Sequence, residues 1–226
     1  MIKLIKKHFN SLERMDYCKI SLYAVISTLI MFCILNGCEA SKEMVYKSQL
    51  TNLISKGVWE KEYQIAREDL IEEVDKYIKK IAPKSQVTSS YMVDLCMKYN
   101  VDIRLVLAQG HVESHFATRG TARKTNSIFN VGAYDGDSAD TQKKKGFSFK
   151  TPDDSIEPYL KLLTTKYLVD GKSELDMLEC FENYLGQRYA SSKRYEKMLI
   201  DRWSKMDSIS DAWNRCKECY INLNIL

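Results

Sequence analysis

The sequence predicts a mostly helical protein built on a single core. Three observations carry this. Only three prolines and nine glycines occur in 226 residues, too little turn material for a sandwich or barrel of many short strands. Hydrophobic residues make up 45 % and charged residues 28 %, a balance that excludes a disordered or collagen-like chain. Apolar side chains recur at three- and four-residue steps through most of the chain, the period of an amphipathic helix. The length suffices for one good core and is short for two large domains.

The net charge of +4 is mild and unevenly placed. Residues 1–19 carry Lys3, Lys6, Lys7, Arg14 and Lys19 against Glu13 and Asp16, a net +3, which leaves +1 for everything after. No dedicated nucleic-acid surface is expected from that balance. The basic flank is followed by an uncharged run from Ile20 to Leu35, the layout of a signal peptide or signal anchor. The basic side should stay in the cytoplasm and the rest should be exported. The run is short for a spanning helix, which needs roughly 20 residues. It ends in Leu35-Asn36-Gly37-Cys38, which looks like a bacterial lipobox with Cys38 as the lipidated residue. An uncleaved anchor is the alternative. Beyond Cys38 lie Cys96, Cys180, Cys216 and Cys219, an even set open to disulfide pairing in an oxidising compartment. The lone Cys216–Cys219 pair, without partners, is a poor zinc signal.

From Ser41 to Ile81 the pattern is helical. Leu50, Ile54 and Val58 repeat in steps of four, then Tyr63, Ala66, Leu70, Val74, Tyr77 and Ile81 continue, and Pro83 stops the run. This segment predicts a stalk or packing arm. Tyr91–Tyr99 predicts a short helix. Val101–Phe116 predicts a strongly apolar one, buried on most sides. Arg119 to Gly132 is loop chemistry, and the alternation through Gly146-Phe-Ser-Phe-Lys150 predicts a short β-hairpin. Helices follow after Pro152, around Leu175–Leu185 ending at Gly186, and from Tyr195 to Trp203. The last segment, with Trp213, is weakly patterned.

Chemistry concentrates at the end of the apolar helix, where Gln109, His111, Glu113 and His115 interrupt it. A polar group in such a setting needs a partner or a purpose. A partly buried carboxyl there suits general-acid work, and glycosidic cleavage needs an acid on the leaving oxygen. Glu113 is the leading candidate. His111 and His115 share a face but fit neither zinc-protease pattern, so no metal and no cofactor is expected. Ser114 and His115 are adjacent on a helix and point apart. Asp135, Asp137 and Asp140 are candidates for a second carboxylate. Phe129, Tyr134 and Tyr189 lie near loops and are candidates for stacking on sugar rings.

The run Leu107-Ala-Gln-Gly-His-Val-Glu-Ser-His-Phe116, followed by Thr125-Asn-Ser-Ile-Phe-Asn-Val-Gly132, resembles the glucosaminidase family of the lysozyme superfamily. Phe149-Lys-Thr-Pro-Asp-Asp-Ser-Ile-Glu-Pro-Tyr159, then Tyr184-Leu-Gly-Gln-Arg-Tyr-Ala190 and Tyr195-Glu-Lys-Met198, resemble that family's later motifs in the same order. The resemblance covers about residues 84–206. It implies a lysozyme-like helical domain with a small β-hairpin lobe beside the cleft, acting on the β-1,4-linked glycan strands of peptidoglycan. It further implies Glu113 as general acid and Tyr189 as the cleft tyrosine that places substrate or water. Gln109, Asn126, Phe129, Asn130 and Tyr134 would bind substrate. The segment between Gly132 and Phe147 is short for the family and holds no Glu, so a lytic transglycosylase is the alternative. A non-catalytic glycan-binding or scaffold module, in a phage virion for example, is the other.

The expected organisation is therefore a signal segment over 1–38, a helical stalk over 39–83, the glycan-cleaving domain over 84–206 and a helical tail over 207–226. The expected partners are peptidoglycan and, through the N-terminus, a membrane. The expected place is the periplasm or the cell surface, or a phage-encoded equivalent.

Overall fold

The computed structural model describes residues 39–132 and 138–225. The export run and Cys38 lie outside the described residues, as do Tyr134, Asp135 and Asp137. Among the described residues no helix is long and apolar enough to cross a membrane. The chain divides into two compact units, one ending at Val58 and one from Trp59 to Ile225.

Helix α1 (Glu39–Ile81) runs through that boundary. Its apolar side chains up to Val58, namely Tyr46, Leu50, Leu53, Ile54 and Val58, are exposed. From Trp59 onward the helix belongs to the second unit. Ala66, Leu70, Val74 and Ile78 repeat every four residues and are buried, so one stripe faces the core. Arg67 grips Asp94 through two hydrogen bonds of 2.6 Å, which ties α1 to α2 (Ser89–Tyr99). The predicted arm is therefore a structural wall of the second unit over its C-terminal half.

Helix α2 ends at Asn100, whose φ of 51° is left-handed and whose N–H reaches the Cys96 and Met97 carbonyls. Asn is one of the few non-glycine residues suited to that turn. Asp102 then starts α3 (Ile103–Ser114) by accepting from the Arg104 N–H at 2.9 Å. Between Ile103 and Gly110 only Arg104 escapes burial. This is the central helix. It packs against α2, α8 (Tyr195–Trp203) and α9 (Asp207–Ile225). The weakly patterned last segment is thus a regular 19-residue helix that buries Ile209, Ala212, Trp213 and Cys216.

Two short helices, α4 (Ala122–Thr125) and α5 (Ala139–Lys144), pack together as a small lobe. A tight turn at Asp153–Ser155 leads into α6 (Ile156–Leu162), which widens into a π-turn at Leu163–Tyr167. Ser173 and Asp176 cap α7 (Glu174–Glu179) reciprocally, the two-way arrangement that satisfies helix-start donors.

Two expectations are corrected. The hairpin at Gly146–Lys150 does not form, and no strand exists among the described residues. The apolar alternation has other partners: the Phe147 ring occupies the space where a Gly132 side chain would stand. The Asn126 side chain holds the Phe149 and Lys150 carbonyls at 3.0 and 2.9 Å. The helix expected to reach Gly186 stops at Glu179. Beyond it the Asn183 carboxamide accepts from the Leu185 and Gln187 N–H groups, both at 2.9 Å. That local turn competes with the helix and leaves Leu185 64 % exposed. Cys96, Cys180, Cys216 and Cys219 are free thiols.

The two halves of α1 should respond differently to truncation. Leu70→Ala removes a fully buried side chain and is expected to cost about 2–5 kcal/mol in urea unfolding. Leu53→Ala, at a site 68 % exposed, should stay within ~0.5 kcal/mol of wild type. Equal effects at both positions would contradict the division at Val58.

Candidate active site

The site forms where α3 ends. Glu113 is half-buried there, one residue before the helix stops. Its two carboxylate oxygens have different partners. The Tyr195 hydroxyl donates to Oε1 at 2.6 Å. The Asn130 carboxamide donates to Oε2 at 3.2 Å and to the Glu113 backbone carbonyl at 3.1 Å. Behind Tyr195, the Gln109 Nε2 donates to the same hydroxyl at 2.9 Å. A buried relay therefore runs from Gln109 through Tyr195 to Glu113.

The helix end itself is strained. His115, Phe116 and Ala117 all have positive φ, at 48°, 54° and 63°, each costing about 1–2 kcal/mol for a non-glycine residue. Ser114 holds this turn. Its hydroxyl accepts from the Ala117 N–H at 2.8 Å and donates to the Ile128 carbonyl at 2.7 Å. Gly110 lets the turn close, because a Cβ there would stand 2.9 Å from the Phe116 ring. The returning chain is fixed from the other side by Ser155, whose hydroxyl accepts from the Ile128 N–H at 3.1 Å. These bonds deliver Asn130, itself left-handed at φ 50°, to the carboxylate.

Aromatic rings back the site. Tyr189 and Tyr195 lie nearly parallel with centroids 5.9 Å apart, and Phe181 and Tyr167 pack edge-on or tilted around them. The Tyr189 hydroxyl donates to the Phe129 carbonyl at 2.7 Å. Burial, reinforced by the nearby Glu113 charge, pushes the Tyr189 and Tyr195 hydroxyls well above the ordinary tyrosine range. Both stay protonated and able to donate. Arg188 locks the segment by bonding both Glu196 oxygens at 2.6 Å, and Glu196 also accepts from the Phe181 N–H at 3.1 Å.

The sequence-predicted residues divide into three groups. Glu113, Asn130 and Tyr189 come together at the end of α3. Gln109 and Phe129 are fully buried behind them. Phe129 stacks on Tyr159 at 3.7 Å, so its ring offers no open face. Asn126 ties the lobe to the 149–150 segment. Asp140 is exposed on α5, and Tyr134, Asp135 and Asp137 fall outside the described residues. Sequence reasoning left Tyr195, Arg188 and Ser155 out of the site. Their signal was present in the spacing of Arg188, Tyr189 and Tyr195 and in the Ser155-Ile156 pair.

A model of the family described as "Glucosaminidase: Mannosyl-glycoprotein endo-beta-N-acetylglucosaminidase" matches residues 89–208, more than half of the chain. The chain belongs to the glucosaminidase family. No curated protein and no solved structure matches it. Family membership makes this a glycosidase of the lysozyme-like type, and the helical architecture agrees with that fold. The matched span opens with α2 and closes just after α8, so it encloses every residue of the relay.

His111 and His115 lie beside the candidate site with ring centroids 4.9 Å apart. Tyr77 Oη is 3.1 Å from His111 Nδ1. Burial first, then His115, Arg202 and Arg119, pull His111 down to about 4, with Asp201 opposing. Its ordinary value in the unfolded chain is about 6.5. The unfolded chain therefore binds more protons between those values, and stability is lost as pH falls from about 6.5 to 4. The His111 ring should titrate near pH 4 by NMR. His111→Gln should flatten the fall of the urea midpoint between pH 7 and pH 4.5. A variant with the full wild-type acid sensitivity would show that His111 is not its source.

Proposed function

We propose that this protein is an exported, membrane-anchored peptidoglycan hydrolase that cleaves the β-1,4 glycan strand with Glu113 as general acid. The observation that carries the reading is a half-buried carboxyl at the end of the central helix with donors on both oxygens. Tyr195 occupies Oε1 tightly at 2.6 Å, while Asn130 touches Oε2 at 3.2 Å. In this reading the carboxyl delivers its proton to the glycosidic oxygen. The leaving sugar accepts that proton as the bond breaks, and the carboxylate that remains keeps the Tyr195 donor. Gln109 holds Tyr195 in place and makes no substrate contact.

Tyr189, half-buried and with its hydroxyl anchored on the Phe129 carbonyl, is assigned to placing the sugar or the attacking water. Asp135, Asp137 and Asp140 remain the carboxylates available to assist that water. If the sugar's own hydroxyl attacks instead, the product is an anhydro end and the enzyme is a lytic transglycosylase. The basic flank and the apolar run from Ile20 to Leu35 support export, with attachment through that segment or a lipidated Cys38, and hence a place in the periplasm or at the cell surface.

Mass analysis of purified peptidoglycan digested by residues 39–226 reports both the bond and the chemistry. Wild-type protein should release glycan fragments, with a reducing end for hydrolysis. Glu113→Gln should release none while keeping the wild-type thermal midpoint. Turnover by a folded Glu113→Gln protein would remove Glu113 from the role, and no turnover by the wild type would favour a binding module. Tyr195→Phe removes a hydrogen bond to a charged group, worth about 1.5–3 kcal/mol, so kcat should fall roughly ten- to hundredfold.

A further inference from the structure

The segment that ends α3's turn and builds the small lobe carries a concentration of positive charge. Residues 119–150 hold seven Lys/Arg and three Asp, a net +4, equal to the charge of the whole chain. Arg119, Arg123, Lys124, Lys143, Lys144 and Lys150 are all exposed. Among the described residues none of these six has an ion-pair partner. Elsewhere in the same unit pairing is the habit. Arg67 meets Asp94, Lys98 meets Glu157, Arg104 meets Asp102, Arg188 meets Glu196 and Lys205 meets Asp201.

The elements that carry the six charges are tied to one another. The Gln142 side chain donates to the Thr121 hydroxyl at 3.3 Å, which joins α5 to α4. The Phe149 N–H donates to the Thr125 carbonyl at 2.8 Å, and Asn126 clamps the Lys150 carbonyl. The same lobe ends in Asn130, which touches Glu113. The charged elements are thus joined through Asn130 to the proposed glycan site.

We infer that this lobe is a binding surface for the carboxylate-bearing peptide stems of the glycan, so that the preferred substrate is stem-substituted peptidoglycan and not a bare N-acetylated glycan. The inference rests on the proposed function and names the substrate class of that same site. Unpaired Lys and Arg side chains attract carboxylates without fixed geometry, which suits flexible peptides that vary in position along a strand. In a stem-bearing strand the lactyl carboxyl of each muramic residue is an amide, so the negative charge that such a surface would meet lies in the stems.

The test compares kcat/KM on peptidoglycan fragments with stems and on the same fragments after amidase removal of the stems and amidation of the lactyl carboxyls that this removal frees. Wild-type protein should prefer the stem-bearing fragments at low salt and lose that preference near 0.5 M salt, where the screening length shrinks to a few ångströms (about 3 Å at 1 M). The triple variant Arg123→Gln, Lys143→Gln, Lys144→Gln should lower the preference ratio roughly fivefold, as expected for three exposed charge contacts. Chemical amidation of the stem carboxylates should lower the wild-type ratio to the same degree. A ratio unchanged in the triple variant and insensitive to salt would overturn the inference. So would a preference that survives amidation but disappears when phosphodiester-linked wall polymers are stripped, which would assign the lobe to those polymers. Failure of the underlying reading looks different, because neither fragment would then be cleaved by the wild type.

Discussion

A carboxyl group at the edge of a helical core needs a hydrogen-bond donor for its inner oxygen. Here that donor is the Tyr195 hydroxyl, 2.6 Å from Glu113 Oε1. The bond connects the central helix to α8 across 82 residues of sequence. Gln109 contacts it from behind, so the group facing the cleft is positioned by groups that never reach it. Removing the donor would leave a half-buried carboxylate without its inner partner, which is more costly than the net value of an average hydrogen bond.

Much of the surrounding fold serves that contact. The Arg188–Glu196 pair and the edge-on packing of Phe181 fix α8 and the Tyr189 segment relative to each other. On the opposite side, Ser114 and Ser155 both bind Ile128, one through its carbonyl and one through its N–H. The turn between them is left-handed at three consecutive non-glycine residues. Strain of that kind persists only where the surroundings over-determine it, and the two serines do so. The backbone strain therefore adjoins the residue proposed as the general acid.

The helical character was legible because burial imposes a period. The stripe Ala66, Leu70, Val74 and Ile78 and the apolar run of α3 both follow it. Glu113 was legible because a carboxyl stands out in such a run. The hairpin and the long helix to Gly186 were misread for a common reason. Alternation at Phe147–Phe149 and apolar spacing at Leu175–Leu185 say what a segment could pair with, not what it meets. Gly132, Asn126 and Asn183 supplied other partners, and these contacts span the fold or turn on a single side chain. Tyr195 was visible as a motif residue, but its contact with Glu113 is set by tertiary structure. The basic lobe was hidden for an arithmetic reason. A net +1 after residue 19 averages a strongly positive lobe with a negative remainder.

The most direct measurement is a crystal structure of the Glu113→Gln protein with a peptidoglycan fragment long enough to span the cleft. The account predicts the residue-113 side chain within about 3.2 Å of a glycosidic oxygen, with Tyr195 still bonded to its inner atom and the peptide stem over Lys143 and Lys144. A fragment bound elsewhere, or a scissile bond too far from residue 113 to be reached even through one water, would contradict it.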